Sequence, residues 1–255
     1  LSRNKGKITL LPQCKTDEFV EANQIVAAVV PVSIMLEPPM PVSEEYFKEK
    51  LMSVNLSERY AAAKALRYKG YTTAKDVLKA RVTDPDEDIY VQLEAAAALA
   101  IHDDDNAWKF IEGKLRSTIM AVPLETQLET VIVVSEIPKT RSEQLLIEVL
   151  RDTQRDDELR AGAAWALGQF ASVTSATALA DTFNSSPLEV KVEAARALLR
   201  IAEPQLPHLI NLLKCDAPSK RDGISWVLAR TGKFNPSELL AGADDNLRKW
   251  VSYIV

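Results

Sequence analysis

Apolar residues recur along this chain in short blocks. When each block is wound at about 100° per residue, its apolar positions gather on one side of a helix. Taking one apolar residue near the end of each block as an anchor gives Leu66 ("YAAAKAL"), Leu99 ("LEAAAAL"), Ile132 ("LETQLETVI"), Leu167 ("LRAGAAWAL"), Leu198 ("EAARALL"), Leu228 ("GISWVL") and Val255 ("LRKWVSYIV"). Successive anchors are 33, 33, 35, 31, 30 and 27 residues apart. A second helical segment lies between each pair, starting at Thr72, Asn106, Arg141, Thr174, Pro204 and Asn235. Several of these start with Ser, Thr, Asn or Pro, as helix N-termini do. Acidic or Pro-containing turns such as "DPDED" and "QRDD" then lead into the anchored helix. Each unit is therefore helix A, turn, helix B. A single unit cannot bury its own apolar face, so the units are expected to stack.

Within helix B, counting the anchor as 0, the positions 0, −1, −3, −4 and −8 form the buried arc. Around Leu167 these are Leu167, Ala166, Ala164, Ala163 and Leu159. Small residues at −3 and −4 allow neighbouring helices to approach closely. Position −7 falls inside this arc and holds Arg59, Gln92, Glu125, Arg160, Lys191, Arg221 and Arg248. A charge on a buried arc needs partners. The turn aspartates Asp88, Asp157, Asp216 and Asp245 are the expected ones.

An Asp in the turn followed by aliphatic-Arg-x-x-Ala-Ala-x-Ala-Leu-Gly resembles the HEAT repeat, especially the short phycobilisome-lyase type of HEAT-like repeat. "DELRAGAAWALG" matches almost position by position, and "SERYAAAKAL" and "LEVKVEAARALL" match well. The unit ending at Ile132 departs most, with Glu125 where Arg is usual. The resemblance covers roughly residues 43–255. It implies an all-α, right-handed α-solenoid of about six to seven helical hairpins. Residues 1–42 fall outside the period and are expected to form an irregular N-terminal cap or the end of a preceding domain. There "KITLL" suits a short strand and "DEFVEANQIVAAVV" a helix.

Composition supports a helical protein, with 8 Gly against 13 Pro and few aromatics. The net charge of −5 and pI near 5.3 argue against nucleic acid or an anionic membrane as the main partner. Cys14 and Cys215 belong to no spaced pair, which suits free thiols in a reducing, cytoplasmic setting. The run "IVAAVVPVSIML" is too short to span a bilayer and follows an acidic stretch, unlike a signal peptide. Leu1 at the start and the abrupt end at Val255 suggest a processed chain or a piece of a longer one.

The candidate chemistry is sparse. The two histidines are His102, before Asp103–Asp105, and His208. Enzymes related to deoxyhypusine hydroxylase share this type of repeat but hold iron through His-Glu pairs, which are missing here. "HDDDN" lacks the Gly and distal Glu of an EF-hand loop. No phosphate loop, nucleophile elbow or Cys-His pairing is visible. No metal or other cofactor is expected.

The richer pattern lies opposite the apolar arc, on the B-helix side that is concave in HEAT-like arrays. Position −2 reads Lys64, Ala97, Thr130, Trp165, Arg196, Trp226 and Tyr253; position −5 reads Ala61, Glu94, Gln127, Gly162, Glu193, Gly223 and Trp250. Trp165, Arg196, Trp226, Trp250 and Tyr253 are thus expected to form a strip for a protein or peptide partner, with Gly162 and Gly223 leaving bare backbone beside two indoles. The expected role is a non-catalytic interaction scaffold. The alternatives are a bilin-lyase-like subunit holding a tetrapyrrole and a nucleic-acid-binding protein similar to HEAT-like glycosylases. The last is disfavoured by Glu94, Glu158, Glu189 and Glu193.

Overall fold

A computed structural model describes residues 7–10, 27–30, 43–232 and 248, the first two stretches as backbone. The chain divides into two units, Leu1–Val42 and Ser43–Val255. In the first, β1 (Lys7–Leu10) pairs antiparallel with β2 (Ala27–Val30), with Lys7 opposite Val30 and Leu10 opposite Ala27. The helix expected up to Pro31 is therefore a strand over its last four residues. Alternation cannot be judged in so short an apolar run, and the pairing with β1 decides it.

The second unit is an α-solenoid. Its hairpins are α1 (Glu44–Leu51) with α2 (Leu56–Lys69), α3 (Lys75–Thr83) with α4 (Ile89–Ile101), α5 (Asp105–Arg116) with α6 (Leu124–Ser135), and α7 (Thr140–Arg151) with α8 (Asp157–Leu167). Next come α9 (Val173–Asp181), α10 (Leu188–Leu212) and α11 (Pro218–Thr231). Ser43, Asn55, Asp88, Asp104, Asp156 and Ser172 each cap a helix by accepting a backbone N–H. Each B helix touches the next, from α2 through α4, α6, α8 and α10 to α11. The alanines at −3 and −4 (Ala62, Ala63, Ala95, Ala96, Ala163, Ala164, Ala194 and Ala195) are buried along that row.

Pro204 was expected to open a separate helix, but α10 runs continuously through Pro204 and Pro207. Each proline removes one backbone donor from its helix without forcing a break. The first half of α10 acts as a B helix, with Ala197 against Gly168 at the end of α8. The second half acts as an A helix, with His208 Nε2 2.8 Å from Thr177 Oγ1 of α9 and Gln205 donating to the Ala171 carbonyl.

The residue at −7 reaches back to the turn, and its recurring partner is a carbonyl. Arg59 Nη1 donates to Ser53 O (2.9 Å), Gln92 Nε2 to Asp84 O (2.6 Å), Arg160 Nε to Leu150 O (3.2 Å) and Arg221 Nη1 to Cys215 O (2.8 Å). These carbonyls lie at or just beyond the A-helix C-termini, where backbone acceptors have no partner inside the helix. The turn aspartates divide their work. Asp88 caps α4, Asp157 stands 3.2 Å from the buried Arg160, and Asp216 is exposed. Arg59 instead grips the next turn through Glu87.

The third unit corrects the anchor placement. Ile132 is 40% exposed, whereas Val131 and Val134 are buried. With Val134 as the anchor, position −7 becomes Gln127, whose Nε2 donates to Val122 O at 2.8 Å as its counterparts do. Glu125 then leaves the ladder and accepts from the Tyr90 hydroxyl. The run "VIVV" offers four consecutive apolar residues, so periodicity alone cannot choose among them. Arg248, expected on a buried arc, is exposed. Asp245 lies outside the described residues.

A carboxylate links successive A helices. Glu44 of α1 accepts from the backbone N–H groups of Thr72, Thr73 and Ala74 at the start of α3, and Glu143 of α7 does the same for Ser175 of α9. Burial pushes the Glu44 carboxyl upward, but the bonds from Thr72, Thr73 and Ala74 outweigh it and hold it at about 2, below the ordinary 4.5. Among the described residues no helix is long and apolar enough to cross a membrane.

Two outcomes are expected. Arg160→Ala, which strips buried carbonyl Leu150 O and Ser186 of their donor, should cost about 2–3 kcal/mol in denaturant unfolding. Because the folded Glu44 carboxyl has the lower pKa, its stabilisation is complete above about pH 4.5 and fades as the pH falls towards about 2. Glu44→Gln should therefore be less stable than the parent by on the order of 1 kcal/mol at neutral pH, after allowing for solvent screening. Acid titrations of the two proteins should converge only as the pH falls to about 2.

Candidate functional site

With the third unit in register, position −2 along the B row holds Lys64, Ala97, Ile132, Trp165, Arg196 and Trp226. This face is less uniformly open than a single helical wheel implies. Ala97 is fully buried, and Glu94 is 1% exposed, held by Lys64 and Arg67 of α2. Ile132, Arg196 and Trp226 are exposed, and Trp165 is half-buried against the core. Trp250 and Tyr253 lie outside the described residues.

Arg196 and Trp226 meet in one cleft of about 390 Å³, lined also by Phe183, Lys191, Val192, Ala195 and Gly223. Phe183, just beyond α9, forms its buried wall, while Trp226 is 46% exposed. Gly223 shows why. A Cβ there would stand 2.4 Å from the Phe183 ring, so the missing side chain admits the phenyl ring and serves Phe183 rather than the indole of its own helix. Gly162 likewise faces Leu128 of α6, with 3.2 Å left for a Cβ. Gly168 allows the closest approach to α10, where an added Cβ would meet Ala197 Cα at 3.0 Å. The small residues around Trp165 thus accommodate neighbouring helices. Trp165 is not part of the cleft lining; Arg200 lies over its ring and donates to its carbonyl.

Arginine surrounds the cleft. Arg230 stands over the Trp226 ring at 5.1 Å. Arg196 is 65% exposed and pairs with Glu193. The end of the face nearer α2 is richer in carboxylates, interleaved with Lys64 and Arg67, a feature that periodicity did not single out. Arg67, only 1% exposed, contacts Glu94 at 3.2 Å and also Glu136, tying α2 to α4 and to the end of α6. Tyr68 donates to Glu136, and Lys64 Nζ lies 3.4 Å from Glu94. Burial pushes the Glu94 carboxyl upward, against the pull of Arg67 and Lys64. Burial raises Glu129 as well. A second cleft, of about 400 Å³, opens here between Leu56, Ser57, Tyr60, Asp88, Tyr90 and Glu129. Lys64 and Glu94 were visible at positions −2 and −5. Arg67 and Glu136 sit beyond their anchors, where the wheel gave no reason to look.

The residues near the histidines are engaged in the fold. His102 packs edge-on against Tyr71, and Asp103, Asp104 and Asp105 pair with Lys139, Lys79 and Arg141. Among the described residues no group of three or more His, Cys, Asp or Glu is placed to hold a metal ion.

No family model matches the sequence, and no curated protein matches it. Solved structures do. The complex of CpcE and CpcF of phycocyanin lyase from Nostoc sp. PCC7120 aligns at 18% identity and TM-score 0.40, over 88% of this chain and 98% of that one. Human deoxyhypusine hydroxylase in complex with glycerol aligns at 18% identity and TM-score 0.31, over 83% and 82%. An engineered protein aligns at 20% identity and TM-score 0.36, over 83% and 67%. The α-solenoid assignment rests on the hairpins themselves.

The glycines make distinct predictions. Gly223→Ala should displace Phe183, destabilise the protein by about 1–3 kcal/mol and close the cleft. Gly162→Ala should change stability by less than about 1 kcal/mol, since the helix-propensity gain opposes a mild contact with Leu128. Thermal denaturation of both variants checks this.

Proposed function

We propose that the chain is a protein-interaction module that binds a partner segment along its B-helix face, the side expected to be concave. The observation that supports this most is the cleft between α10 and α11, where a large apolar side chain can insert between Phe183 and a half-exposed Trp226. A Trp left in water contributes little to folding, but in an interface it can contribute 2 kcal/mol or more. Arg196 and Lys191 at the rim suit an acidic group beside the apolar anchor. The carboxylates Glu94, Glu129 and Glu136 further along the face weigh against a nucleic-acid backbone. A tetrapyrrole is the second reading, favoured by the same pairing of aromatic rings with Lys191 and Arg196, which would receive its carboxylates.

The test is selection of displayed short peptides against the full chain. Selected binders should share a large apolar residue next to an acidic one. Trp226→Ala should weaken them by more than about tenfold while leaving the melting temperature nearly unchanged. Equal binding by the variant would overturn the reading. A visible absorbance change on adding a bilin, lost in Trp226→Ala, would select the tetrapyrrole instead.

A further inference from the structure

We propose that the Tyr60–Tyr90–Glu129 cleft binds a cationic side chain, lysine or arginine, of the same partner segment whose apolar anchor lies at Trp226. This rests on the peptide-binding reading for the identity of the partner, but the cleft has evidence of its own. Its walls carry two tyrosine rings and two carboxylates, Asp88 and Glu129, with no lysine or arginine in the lining. Tyrosine faces attract cations within about 6 Å. The molecule already uses this at the same ring, where Lys64 Nζ sits 5.6 Å from the centre of Tyr60. Lys64 is shared between Glu94 and the Tyr60 hydroxyl, each at 3.4 Å.

Glu129 is half-buried, and among the described residues it has no hydrogen bond or ion pair. Burial penalises its charged form, and Glu136 adds to that penalty, with Lys64 and Arg67 only partly offsetting it. A guanidinium or ammonium group entering between the rings would supply the missing partner. Asp88 uses one oxygen to cap α4, leaving the other for the ligand. Glu125, next to the cleft, holds the Tyr90 hydroxyl at 2.9 Å and so fixes that ring.

The far end of the face is complementary in sign. Lys191 and Arg196 line the Trp226 cleft, and Arg230 covers the indole. From α4 to α10 there are three helix-to-helix steps, or about 25–30 Å at the usual packing distance. Roughly eight residues of extended chain cover that span. The face therefore sorts a segment by direction, with its basic residue towards α2 and its apolar and acidic residues towards α11.

Tyrosine-ring NMR on the full chain tests the cleft, with the two rings assigned through Tyr60→Phe and Tyr90→Phe. The probes are N-acetyl-arginine amide and N-acetyl-lysine amide, with N-acetyl-norleucine amide as the neutral control. The expected result is a saturable shift of both rings with the cationic probes alone. Glu129→Gln should weaken it by about tenfold or more. Equal shifts from the norleucine probe, or unchanged binding by Glu129→Gln with an otherwise parental spectrum, would overturn the proposal. Should Glu129→Gln misfold, Tyr90→Leu takes its place with the same expected loss. The Trp226 indole signal separates the two claims. Peptide binding at Trp226 with silent tyrosines sinks the cation site and leaves the module reading standing. Cation-responsive tyrosines with no peptide binding at Trp226 sink the module reading instead.

Discussion

The B-helix row is set by one repeated bond, in which a side chain in the first turn of helix B donates to a carbonyl at the end of helix A or in the turn. Arg59, Gln92, Gln127, Arg160 and Arg221 all make it. The exception among the described B helices is α10, with Lys191 at that position in the cleft lining. The carbonyls at a helix end have no partner within the helix, and the side chain at −7 supplies one. A donor at a fixed distance from the anchor sets how far helix B has rotated relative to its turn. That rotation then decides which side chains meet the next helix and which stay open. Glutamine serves as well as arginine because the acceptor is a neutral carbonyl, and the ionic contacts of Arg59 and Arg160 are local additions.

Two rows of helices use different means of cohesion. The A row is linked by carboxylates that accept the free N–H groups of the following helix, as Glu44 and Glu143 do. The B row is linked by close packing over alanine and glycine, with α10 pressed on α8 at Gly168. Close packing on one side leaves little room for large residues. Those that remain stand out at the margins, where Phe183 and Trp226 form a cleft made possible by the absent side chain of Gly223.

The charge distribution follows from the same geometry. Near α2, Arg67 and Glu136, which lie beyond their anchors, meet Glu94 of α4, and Arg67 sits buried between the two carboxylates. From α8 to α11, arginines lie over indoles, Arg200 on Trp165 and Arg230 on Trp226. These stacked cations attract the ring faces and help hold the half-exposed indoles in place. The face is thus carboxylate-rich and tyrosine-lined at one end, cationic and tryptophan-lined at the other.

The sequence by itself determined the hairpin repeat, the small residues on the packing side, and the exposure of Arg196 and Trp226. All of these follow from periodicity within one helix, which is a local property. Tertiary structure alone decided the register of α6, since any of the four apolar residues in "VIVV" can serve as an anchor until Gln127 finds its carbonyl. It also decided that α10 continues through Pro204, that β2 is a strand, and that Gly223 answers to Phe183. A helical wheel shows which way a residue points but not what will cover it, so Ala97 and Glu94 vanished beneath their neighbours. The clusters at Arg67 and at Tyr60 are assembled from separate hairpins, and no single repeat carries their pattern.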